Sequence, residues 1–134
     1  MTNSQNSEAP AIKVIGDVPS LPLIVRDGPG AFTDLVSSDP SSAAPIVCGV
    51  WDADDVENGD EIWPAEYDEM KYVISGEAEW EDVRTGQRTI ATAGSMVWFP
   101  KGSQTRLIRS RGLKTIYIEQ TYREAVPDAQ LKQS

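Results

Sequence analysis

Residues Ile62–Trp80, IWPAEYDEMKYVISGEAEW, place two adjacent acids and a lysine (Asp68, Glu69 and Lys71) at the head of what otherwise reads as a hydrophobic strand. Carried on to Asp82, the segment EAEWED sets Glu77, Glu79 and Glu81 on one face and Ala78, Trp80 and Asp82 on the other. That is the two-residue period of a half-buried strand. KTIYIEQTY, ending at Tyr122, alternates in the same way, and turn sequences RTGQ, TAGS, PKGS and SRG separate the runs at the spacing of a sandwich or small barrel. Upstream, from Ile12 to Val50, short apolar runs (IKVI, LPLIV, PIVCGVW) alternate with GDVPS, RDGPG and SSDPSSAAP, with no sustained helical period. The chain is expected to be all-β. One barrel domain should cover residues 12–124, after a disordered or loosely docked polar arm at 1–11 and before a tail at 125–134, where Pro127 limits any helix to a turn.

Composition narrows the chemistry. A chain of 134 residues makes one domain that buries about two-thirds of its unfolded surface, so it needs neither disulfide nor metal to fold. It contains no histidine, which removes the commonest general base and the commonest metal ligand together. Cys48 is the single cysteine; with no signal-like or spanning apolar run beside it, the expected setting is the reducing cytoplasm. Without a histidine to activate it, Cys48 reads as a structural thiol. The formal charge of -9 opposes binding to nucleic acid or to an anionic membrane, and the only basic cluster, Arg106, Arg109, Arg111 and Lys114, is small. DGPG at 27–30 is turn chemistry, since it lacks the lysine and following helix of a phosphate loop.

The spacing of fixed residues resembles the cupins, whose two signatures are G(x)5HxH(x)3-4E(x)6G and G(x)5PxG(x)2H(x)3N. Gly59, Glu69 and Gly76 follow the order of the first, in GDEIWPAEYDEMKYVISG, and Gly94, Pro100 and Gly102 that of the second, in GSMVWFPKGSQTRLIR. YDE, VISGE and FPKGS are similar to the branch that contains the cupin domain of the ethanolamine-utilisation protein EutQ. The resemblance covers residues 45–122 well and implies a double-stranded β-barrel, a jelly roll of two antiparallel sheets, paired as a homodimer through N-terminal strands. Trp63 and Ala65 stand at the two histidine positions, Thr105 at the third and Arg109 at the asparagine, so of the metal-ligand positions only Glu69 keeps a ligand. One carboxylate cannot hold a catalytic transition metal, and a metal-free protein with no cofactor is expected.

If Glu69 faces the lumen, as the resemblance implies, Lys71, Val73 and Ser75 face it too, while Met70, Tyr72 and Ile74 face away. Two readings of the Glu69–Lys71 pair stay open: a solvated charged face at the barrel mouth, or a site in which Glu69 is the acid or base and Lys71 steadies an oxyanion. Tyr67 either donates a hydrogen bond into the pocket or caps the barrel end, and Asp68 is expected to bond turn backbone. Trp63 should line the pocket; Trp51 and Trp98 are core residues that could wall a cavity; Thr105 and Arg109 could receive an anionic or carbonyl group. Together these point to a metal-independent enzyme for a small molecule, flat at one end and acidic at the other, acting as a lyase, dehydratase or isomerase. The resemblance implies two alternatives, a non-catalytic binding or scaffolding cupin of an ethanolamine-utilisation-like pathway and acetate kinase-like phosphoryl transfer.

Overall fold

The computed structural model describes residues 11–123. The tail expected at 125–134, and all of the arm except Ala11, lie outside the described residues. A single 3-10 turn at Val18–Ser20 precedes eight strands: β1 (Val25–Asp27), β2 (Gly30–Ser37), β3 (Val47–Ala53), β4 (Ile62–Pro64), β5 (Glu69–Asp82), β6 (Arg88–Thr92), β7 (Met96–Phe99) and β8 (Gln104–Glu119). Every pairing is antiparallel, in the order β1-β2-β3-β8-β5-β6, with β4 added to β8 and β7 to β5.

β5 and β8, 14 and 16 residues long, pair with each other throughout and change their outer neighbours halfway. The first half of β5 carries β7 and the second half β6; the first half of β8 carries β4 and the second half β3. Register shifts between Val73 and Ser75, Ser75 and Glu77, and Glu79 and Trp80 bend this ribbon, as bulges do in barrels. The two expected sheets are thus two walls of one continuous ladder. Gly76 sits at the bend with φ +79°, where a Cβ would strike the backbone carbonyls of Arg111 and Gly112, so only glycine lets the strands cross that closely.

Val73, Ala78, Trp80, Ala91, Phe99, Leu107 and Leu113 form the core. Trp80 meets Phe99 edge-to-face at 5.4 Å. Burial of each leucine- or phenylalanine-sized side chain contributes about 1.5–3 kcal/mol. The N-terminal runs behave differently from expectation. IKVI forms no strand, with Ile12 and Val14 more than nine-tenths exposed, and LPLIV joins β1 only at its last residue, because Pro19 and Pro22 have no N–H to donate. Residues 22–24 are clipped across β2 instead: Thr33 Oγ1 donates to the Pro22 carbonyl at 2.7 Å and accepts from the Ile24 amide.

The basic cluster is neutralised locally. Arg106 pairs with Glu81, Arg109 with Glu77, Arg111 with Glu57 and Lys114 with Asp52. Among the described residues no helix is long and apolar enough to cross a membrane.

Candidate functional site

Side chains of seven of the eight strands, all but β6, line a cavity of about 330 Å³. Its floor comes from the β5–β8 ribbon, where the register sets Glu69 opposite Glu119 and Lys71 opposite Tyr117. Phe32, Trp51, Trp63, Tyr67 and Phe99 supply aromatic walls, Thr105 lies beside its cross-strand partner Trp63, and Asp27 and Glu66 stand exposed at the mouth.

The floor is a network of five charges. Lys71 Nζ is ion-paired to Glu69 Oε2 and lies 5.0 Å from the centre of the Trp51 ring, 5.6 Å from Phe99 and 5.7 Å from Tyr117. Aromatic faces stabilise a partly desolvated ammonium there. Arg123 donates from Nε to Asp34 Oδ2 at 2.8 Å and from Nη2 to Oδ1 at 2.6 Å, and it packs over Phe32. The same Nη2 forms an ion pair with Glu119 Oε1 at 2.6 Å. Tyr117 donates its phenolic proton to fully buried Asp34 at 2.5 Å, and burial together with that bond pushes its pKa up. Gly49 makes room for the tyrosine: a Cβ there would strike the Tyr117 hydroxyl and the Thr33 carbonyl.

Three carboxylates against two cations leave one negative charge too many for a closed floor, and one proton removes the excess. Burial, then the hydrogen bond and charge of Glu69, raise the Glu119 carboxyl to about 7, against the opposing pull of Arg123 and Lys71. Glu119 therefore keeps its proton up to near neutral pH, on the face it shares with Glu69. Tyr67 is pushed up to about 12 by burial and then by the charges of Glu119 and Glu69, so its hydroxyl stays a donor.

Of the residues singled out in the sequence, Glu69, Tyr67, Lys71, Trp63, Thr105 and Trp51 meet around this cavity. Trp98 and Arg109 do not. Phe99 takes the inward position at the end of β7, so alternation turns its neighbour Trp98 outward, where it is 58% exposed. The register shift near Ile108 turns Arg109 away from the lumen, and its guanidinium binds Glu77 at 2.9 Å. Val73 is buried in the core, whereas Ser75 lies past a register shift and is exposed. Asp68 accepts from the Lys101 amide in the turn, at 2.8 Å. Cys48 is half-buried on β3, and burial pushes its thiol pKa up.

Sequence reasoning missed Glu119, Tyr117, Asp34 and Arg123. The first two share one face of KTIYIEQTY, and the alternation of that segment was signal enough; the other two join the site through pairings that no local pattern carries. The donor set does not fit a transition metal. Trp63, Ala65 and Thr105 bring no imidazole or thiolate, the ammonium of Lys71 takes up Glu69, and among the described residues no three His, Cys, Asp or Glu side chains are placed to hold one metal ion.

Relatives agree with this architecture. The chain is 33% identical over 87 residues to the acetate kinase EutQ of Escherichia coli K12, a match covering 65% of this chain and 34% of that protein, so the chain spans about a third of its relative's length. The structure of the Clostridium difficile EutQ protein superposes with a TM-score of 0.60 at 21% identity, over 78% of this chain and 77% of that one. The cupin domain of Schizosaccharomyces pombe Cnp3 gives 0.59 at 18% identity, over 82% and 76% of the two chains. Residues 28–123 match the family described as ethanolamine utilisation protein EutQ, and the chain belongs to that family of cupin-fold proteins.

Proposed function

We propose that the cavity binds a small organic molecule and moves a proton at a carbon next to its carbonyl group, without a metal, as a lyase, dehydratase or isomerase would. The observation that carries this reading is the Glu69–Glu119 pair, whose members face each other on a cavity floor where burial and the neighbouring Glu69 raise the Glu119 carboxyl to about 7. One member is then ionised and able to take a proton from carbon, while the other is protonated and able to return one. As the C–H bond breaks, its electron pair moves into the carbonyl and makes an enolate oxygen, to which the un-ionised Tyr67 hydroxyl donates. Lys71 and Arg123 hold the ionised carboxylates in place.

The acetate kinase activity named for the E. coli relative is supported less well. A nucleotide's phosphates need several free cations, whereas both cations of this cavity are already bound to carboxylates.

Deuterium exchange tests the proposal. Small ketones and aldehydes of neutral, cationic and anionic kinds are incubated with the protein in D2O, and loss of the C–H signal is followed by proton NMR. At least one compound should exchange faster than in buffer, and Glu119→Gln should slow it about 100-fold, the lower end of what a positioned acid or base supplies. Exchange equal to buffer for every compound would leave the cavity a non-catalytic binding or scaffolding site.

A further inference from the structure

The sequence pointed to a ligand acidic at one end, to be received by Arg109, and Arg109 lies outside the cavity. Resting on the reading of the cavity as a ligand site, we infer that its ligand is a small organic cation, an amine whose ammonium group faces the acids while its carbon skeleton lies against the aromatic walls.

The charges facing the cavity are Asp27, Glu66, Glu69 and Glu119 against Lys71 and Arg123. Four acids against two bases make the lining negative, and a proton on Glu119 leaves it so. Neither base is available to an incoming anion. Lys71 is tied to Glu69 and wedged among three rings, and Arg123 spends two hydrogen bonds on Asp34 and faces Glu119. An anion would displace one of these pairs or sit unpaired in a negative field, and both options cost affinity.

A cation meets the opposite conditions. Asp27 and Glu66 stand at the mouth and are in no ion pair among the described residues, so they face any ligand that enters. Deeper in, Glu119 is 8% exposed and lines the cavity, with Arg123 as its one ion-pair partner among the described residues. The walls already host cations: the Lys71 ammonium and the Arg123 guanidinium both lie over ring faces, at 5.0 Å from Trp51 and 5.2 Å from Phe32. Trp63 and Tyr67, beside the mouth, offer rings that neither cation occupies. The size of the cavity suits one ring or a short chain.

Three probes of one shape separate the possibilities: benzylamine, benzyl alcohol and benzoate, measured by calorimetry and thermal shift at pH 7.5 and low salt. Benzylamine should bind about tenfold or more tighter than the alcohol, a margin that added salt narrows and the double variant Asp27→Asn, Glu66→Gln removes, with binding of the alcohol unchanged. Benzoate should not bind. Benzoate binding more tightly than benzylamine would overturn the cation assignment and leave the cavity a ligand site. If none of the three binds, and a broad set of uncharged small molecules also fails, the ligand-site reading falls together with the assignment.

Discussion

Glu119 has the most informative titration in the molecule. Its folded-state carboxyl titrates near 7 against 4.5 for a free glutamate, so between those values the folded chain holds a proton that the unfolded chain has lost. The stability it contributes is full below pH 4.5 and disappears as the pH rises through 7, a change on the order of 3 kcal/mol. Glutamine imitates the protonated form. Chemical unfolding should therefore find Glu119→Gln close to wild type at pH 5 and more stable at pH 8; a variant less stable at pH 8 would mean that Arg123 needs the ionised carboxylate. The local part of this site was legible: Glu69 and Lys71 lie two apart on one strand, and alternation alone puts them on one face. Arg123 and Asp34, 89 residues apart, meet only because β2 and the end of β8 are brought together through β3, which no short-range pattern encodes.

At the scale of elements, the contact between β3 and β8 depends on an absent side chain. Gly49 lets Tyr117 lie across the β3 backbone and reach Asp34. Gly49→Ala would push a methyl group into both the tyrosine hydroxyl and the backbone of β2, and thermal or denaturant unfolding should show a loss of about 1–3 kcal/mol, the usual cost of overpacking. An unchanged midpoint would show that Tyr117 moves aside freely. Alternation read the inner and outer faces of β5 as far as Val73 and failed where the ladder slips. Ser75 and Arg109 both lie next to register shifts, and the placement of a bulge follows from how two strands bend around each other, which neither strand reveals alone.

The whole molecule carries an apolar band on its outside. Trp98 and Met96, both more than half exposed, adjoin Met70, Tyr72 and Ile118 across β7, β5 and β8. Bands of this kind mark interaction surfaces, and we propose this face, in place of the N-terminal strands that the resemblance implied, as the one through which two copies pair. Sedimentation velocity should report a dimer that Trp98→Lys shifts toward monomer; a wild-type monomer at high micromolar concentration would end that proposal. The all-β class and the barrel were readable because turn residues and two-residue periods recur along the whole of β5 to β8, whereas of the early apolar runs IKVI stays exposed and LPLIV reaches β1 only at Val25. The crossing of β5 and β8 through both walls also has an evolutionary consequence. One residue inserted or deleted between Glu69 and Asp82 would exchange inside for outside from that point along β5, unless one of the three register shifts took it up. Descendants of this chain can therefore acquire new specificities most simply by exchanging side chains at constant strand length, with changes of length placed at the bulges or in connections such as Thr85–Gln87 that belong to neither wall.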